Sequence, residues 1–161
     1  MGMRLADSTG ARFLDLDSLI VERAAPGDDG DPRSTIRDVY RSMQERAFRE
    51  LEHETLAGVL QKRPAEPLIL ALGGGVAENR SALQMLRDNT RMLYLANDPL
   101  VLYDRATARG LPAFLDPTRP REHFLEIAGR RDSEYRRYAH EVVDLTGLSK
   151  AQAHSKLLDY L

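Results

Sequence analysis

The chain has 161 residues, 42% of them hydrophobic and 30% charged, with a formal net charge of −2. That balance is an ordinary one-domain globule with room for a core, and the near-zero charge gives no electrostatic case for nucleic acid or an anionic membrane. Cysteine is absent and the four histidines form no HxxxH or HxH pair, which excludes disulfides and thiolate chemistry and argues against zinc.

In chain order, residues 1–8 read as a helix that Gly10 ends, 13–15 as a short strand, and 19–24 as a helix stopped by Pro26. "GDDGDP" is a solvated loop; it lacks the spacing and terminal glutamate of a calcium-binding EF-hand. Ser34 is placed to cap the helix in "STIRDVY", and a longer helix is expected over 44–62, with Phe48, Leu51, Leu56 and Leu60 near helical spacing. "PLILAL" reads as a buried strand broken by Gly73. A helix over 79–88, the strand "RMLYLA", and a helix from Pro99 to about 109 follow. "GLPAFLDPTRP" is too proline-rich for a helix, and it precedes a helix over 121–138, the strand "EVVDL" and a last helix from Ser149. Strands alternating with helices predict a parallel sheet covered by helices, a soluble, cytoplasmic single domain with no signal peptide and no spanning segment.

"FLDLD" puts two carboxylates at the C-terminal end of a strand, the edge where open α/β sheets bind ligands. If the extended geometry persists, Asp15 and Asp17 face one side. One could then hold magnesium through water while the other accepts a hydroxyl proton. The plainer reading has Asp17 capping a helix that begins at Ser18. In "ALGGGVAENR", three glycines after a strand let the backbone approach a ligand and present N–H donors, where a simple turn would need only one. Arg49 and Arg131 lie on helices, and each taken alone is an ordinary surface arginine, Arg49 within reach of Glu45.

Taken together, "RLADSTGARFLDLDSLI", "STIRDVY", "QERAFRELE", "LILALGGGVAENR", "MLYLANDPLVLYDR" and "RRDSEYRRYAHEVVDLTGLS" resemble the shikimate kinase family in order and spacing over nearly the whole chain. The resemblance implies a three-layer P-loop kinase-like α/β fold, its parallel sheet covered by helices on both faces, with a lid loop at about 110–120. It implies transfer of the ATP γ-phosphate to the 3-hydroxyl of shikimate, in aromatic amino acid biosynthesis, by a monomer. Asp15 would help hold Mg²⁺, and Asp17 would contact the substrate hydroxyls and assist proton removal. Arg49 and Arg131 would clamp the substrate carboxylate, and Gly73, Gly74 and Gly75 would offer backbone donors. Arg105 would lie beside ATP.

The departures matter. The family's GxxxxGK[ST] phosphate loop has no counterpart in these residues; Met1 to Ala6 match the segment that follows it. The first strand, central in the family's five-stranded sheet, is then missing too. About ten ladder hydrogen bonds at about 0.5–1.5 kcal/mol each go with it. A marginal fold, a closed-up sheet or another element in the gap is expected. Leu111 stands near the lid arginine, with Arg109, Arg119 and Arg121 as candidate replacements, and Gln44-Glu45 stand where the family has Gly-Glu. The alternatives are a non-catalytic shikimate-binding remnant, or another small-molecule kinase such as a gluconate kinase. The 161-residue chain alone is expected to show little or no turnover in a coupled ATP-consumption assay with shikimate; normal turnover would refute that.

Overall fold

Gly10 makes the first corner: at φ 70° it takes the left-handed conformation and donates its N–H to Ala6 O, closing helix α1 (Gly2–Thr9). The computed structural model describes residues 1–24, 35–62, 66–108, 110–112 and 114–161. Strand β1 (Arg12–Asp15) leads directly into α2 (Leu16–Ala24). The extended backbone therefore stops at Asp15 and does not carry Asp17 along the strand. The cause is local: one oxygen of Asp15 accepts the Ser18 N–H at 3.1 Å, the bond of an N-terminal cap. The capping aspartate is thus Asp15, and Asp17 sits inside the first turn.

Helix α3 (Ile36–Ser42) begins at Thr35, whose N–H and hydroxyl both donate to the Asp38 carboxylate at 2.9 and 2.6 Å. Ser34, the expected cap, and the "GDDGDP" segment lie outside the described residues. Helix α4 (Glu45–Gln61) buries Phe48, Glu52, Thr55 and Leu56, and β2 (Leu68–Ala71) follows. A tight 3-10 turn (Gly74–Glu78) fills the glycine-rich stretch between β2 and α5 (Arg80–Asn89), which begins within a residue of the expected start at Asn79. Asn79 caps α5 by accepting the Ala82 N–H at 3.2 Å. Strand β3 (Leu93–Ala96), α6 (Pro99–Thr107), α7 (Pro120–Tyr138), β4 (Glu141–Asp144) and α8 (Lys150–Leu158) complete the order. Pro99 and Pro120 open their helices, where a missing N–H costs nothing. Among the described residues no helix is long and apolar enough to cross a membrane.

The strands form two parallel pairs, β1 with β2 from Arg12↔Leu68 to Asp15↔Ala71, and β3 with β4 from Leu93↔Glu141 to Ala96↔Asp144. Among the described residues nothing bonds β2 to β3, so the sheet is reduced and interrupted at its middle. This interruption corrects the expectation that "PLILAL" is fully buried. Every residue of β2 is half-buried, and Leu95 of β3 is 39% exposed, because among the described residues each strand has a strand neighbour along one edge alone.

Alternation along β2 shows the layering. Leu70 and Leu72 pack against a core of Leu16, Ile20, Phe48, Leu56, Val76, Leu83, Leu86 and Tyr138, supplied by α2, α4, α5, α7 and the glycine turn. Ile69 points the other way, toward Leu5 of α1, Val143 of β4 and Leu157 of α8. Helices thus cover both faces, and the second cluster joins the two strand pairs across the break. Burial implies a clear contrast: Leu56→Ala, at a fully buried position, should cost about 2–5 kcal/mol in urea unfolding. Leu158→Ala, at an exposed one, should change stability by less than about 0.5 kcal/mol.

Candidate functional site

Four elements of the β1–β2 side and one distant helix meet around the triple-glycine turn. Asp17, in the first turn of α2, lies against Gly73 so closely that a Cβ at position 73 would fall 2.5 Å from Asp17 Oδ1. No side chain fits there without displacing the carboxylate. At Gly74 the same added atom would meet Arg131 Nη1 at 3.5 Å, and at Gly75 it would meet Arg49 Nη1 at 3.6 Å. Each glycine therefore faces a different charged side chain, and all three, Asp17, Arg131 and Arg49, are among those singled out in the sequence.

The turn is fixed from both sides. Arg49 of α4 donates from Nη1 to the Gly75 carbonyl at 3.0 Å, and the Tyr135 hydroxyl of α7 donates to the Gly73 carbonyl at 3.1 Å. Tyr135 also stacks on Tyr94 of β3, with ring centroids 5.1 Å apart, and its burial pushes its phenol up to about 12. It stays a neutral donor through the physiological range.

The two arginines converge on a single carboxylate. Glu78, the last residue of the turn, accepts from Arg49 Nη2 at 2.7 Å and from Arg131 Nη2 and Nε at 2.7 and 3.0 Å. Buried Glu52, 3% exposed, takes Arg49 Nη1 at 3.3 Å and the Asn79 amide at 2.9 Å. Asn79 also donates to the Arg49 carbonyl at 2.9 Å, so one side chain caps α5, holds Glu52 and ties α4 to the turn. The Glu45 partner suggested by sequence stands 3.9 Å away on an exposed side chain, a weak contact beside these.

Burial raises Asp17 above the ordinary carboxylate range, and the charges of Asp15 and then Glu52 add to the effect. A half-buried acid with a raised affinity for protons, set against the glycine turn, suits proton acceptance from a bound hydroxyl. No group of three histidine or acidic side chains gathers for a metal among the described residues. Asp15 and Asp17 together would suit a hydrated magnesium held through water, since their mutual repulsion is what a cation relieves.

The other expected residues lie apart. Arg105 is exposed in the last turn of α6, with no hydrogen bond to this group among the described residues. Between α6 and α7, Leu111 is exposed, Arg109 lies outside the described residues, and Arg119 is engaged by Glu126 at 2.9 Å. Phe114 reaches the site, its ring centroid 5.8 Å from the Arg131 guanidinium. An open cleft of about 560 Å³, bounded by Asn97, Asp98, Arg136, Asp144 and Thr146, lies at the C-terminal ends of β3 and β4. Sequence reading missed Glu52, Glu78 and Asn79; the signal available was Glu52 one helical turn beyond Arg49, and two polar residues following the glycines.

The frame matches solved shikimate kinases. The enzyme from Acinetobacter baumannii in complex with shikimate covers 99% of this chain with a TM-score of 0.79 at 24% identity, and 83% of that chain is matched. The Bacteroides thetaiotaomicron enzyme gives 0.77 at 20% identity, covering 99% of this chain and 88% of that one. The shikimate kinase family model matches residues 1–161, and the chain belongs to that family. The shikimate kinase of Chloroherpeton thalassium is 33% identical over 105 residues, 65% of this chain and 50% of that protein. That of Dechloromonas aromatica is 32% identical over 144 residues, 89% of this chain and 73% of that protein. The chain thus spans about half the length of the first of these relatives.

The raised Asp17 gives a stability signature. Its folded form binds a proton more tightly than the unfolded chain does, so stability falls as pH rises through the interval above about pH 4. Asp17→Asn should unfold at higher temperature than the native chain at neutral pH, and the difference should vanish below about pH 4. A gain equally large at both pH values would contradict the assignment.

Proposed function

We propose that the chain forms the substrate-gripping part of a shikimate kinase, which transfers the ATP γ-phosphate to the 3-hydroxyl of shikimate. The observation that carries this reading is the triple-glycine turn, one glycine apiece against Asp17, Arg131 and Arg49. A small hydroxylated acid needs that combination: an acceptor for its hydroxyl proton, a backbone it can approach, and cations for its carboxylate.

In this reading Arg49 and Arg131 hold the carboxylate, each planar guanidinium able to donate two parallel hydrogen bonds. Their origin on separate helices fixes the ligand's orientation as well as its charge. Asp17 accepts the hydroxyl proton, and its raised proton affinity makes it a better base for that task than a solvent-exposed carboxylate. Phosphoryl transfer asks mainly for such positioning. Magnesium, when bound, would neutralise developing phosphate charge, with Asp15 holding it through water. Arg105 is the residue proposed to lie beside ATP.

Calorimetry tests the reading. Shikimate should bind with gluconate much weaker, and Arg131→Ala should weaken shikimate binding by about 10–100-fold, the loss of charge-assisted hydrogen bonds worth about 1.5–3 kcal/mol. No heat with shikimate, or an unchanged affinity in Arg131→Ala, would count against it.

A further inference from the structure

We propose that Glu78 is an internal carboxylate that occupies the double-arginine fork and must yield it to an incoming substrate carboxylate, so that it sets which acids can bind; this rests on the reading of Arg49 and Arg131 as a carboxylate clamp. Its two oxygens lie on different guanidinium groups, Oε2 with Arg49 Nη2 at 2.7 Å and Oε1 with Arg131 Nη2 at 2.7 Å. A substrate carboxylate bridging the same arginines would take the same donors.

The charge of the fork is already balanced. Arg49 and Arg131 face Glu52 and Glu78, and Asp17 adds negative charge beside the same turn. A further carboxylate entering with Glu78 in place meets no uncompensated cation. It binds by exchange.

The two acids differ in their freedom to leave. Glu52 is 3% exposed and also holds the Asn79 amide, so it stays. Glu78 has a 36% exposed side chain, bonds to the two arginines alone among the described residues, and can rotate into water without breaking a backbone bond. Once Glu78 departs, Arg49 keeps Glu52 and the Gly75 carbonyl, and Arg131 keeps the Phe114 ring. Both forks then stand in place for the ligand.

A tethered competitor sets a threshold, because its effective concentration at the fork is on the order of millimolar or more. A plain carboxylate with no other contact is excluded. An acid whose hydroxyls also engage Asp17 and the glycine turn gains enough to win the exchange. Glu78 thus raises the intrinsic affinity that any acid needs to occupy the fork, a level that the hydroxyl contacts help an acid to reach.

The test is calorimetry of the native chain, Glu78→Gln and Glu78→Asp with two probes, cyclohex-1-ene-1-carboxylate and shikimate. Glu78→Gln should bind the plain carboxylate roughly tenfold more tightly than the native chain, the scale of one charge-assisted bond removed from competition. Shikimate should gain by a similar factor, reducing no part of its preference for Asp17. Glu78→Asp keeps the charge but is one methylene too short to span both forks, and should fall between; if Glu78→Gln does not fold, this variant decides, and an affinity equal to the native one overturns the proposal. Unchanged or weaker binding in folded Glu78→Gln also overturns it, making Glu78 a brace for the arginines, and native shikimate binding in that case leaves the clamp intact. Tighter plain-carboxylate binding with no shikimate binding supports the exchange and counts against the shikimate reading. No carboxylate binding by any form overturns both.

Discussion

Two guanidinium groups from different helices can share one small volume only if carboxylates neutralise them and nothing bulky stands between. That constraint organises this rim. Arg49 and Arg131 approach through Glu78, Glu52 steadies Arg49 from beneath, and the turn from Gly73 to Gly75 leaves room where any other residues would project side chains. Removing one partner from so enclosed a set leaves a charge without compensation, which costs far more than the pair contributes. Buried Glu52 is therefore fixed, and Glu78, at the exposed edge, can give up its place only to another carboxylate.

The frame beneath it is uneven. Asp15 and Asp17 follow β1, the glycine turn follows β2, and Arg49 rides on α4, all within one strand pair and its helices. Arg131 arrives from α7, which leads into β4 of the other pair. The site thus spans a break across which, among the described residues, no strand hydrogen bonds run, and the Tyr135–Gly73 bond, the Tyr135–Tyr94 stack and the Ile69–Val143–Leu157 cluster carry the connection instead. Side-chain packing does here what a ladder of backbone bonds does in a continuous sheet.

Much of this was legible in the sequence. Gly10, Pro99 and Ser149 punctuate helices by backbone chemistry that needs no tertiary context, and they stand at the helix ends they indicate. The alternation of strands and helices likewise gives the parallel order. What the sequence concealed depends on competition between local bonds. Asp15 and Asp17 look equivalent at strand spacing, and the Ser18 N–H decides between them by capturing Asp15. Glu78 and Asn79 read as a polar stretch before a helix; their roles arise from residues about thirty and fifty positions away in the chain. Half-burial of β2 was hidden because an apolar run records what a strand could bury, and the neighbours present decide what it does bury.

The central claim is that Arg49 and Arg131 act as one fork for a ligand's carboxylate, and side-chain nuclear magnetic resonance addresses it directly. In a shikimate titration, the Nε–H signals of Arg49 and Arg131 should move together and saturate at one ligand concentration, while those of exposed Arg105 and Arg119 stay fixed. Movement of either fork arginine without the other, or of neither while shikimate binds, would contradict the account.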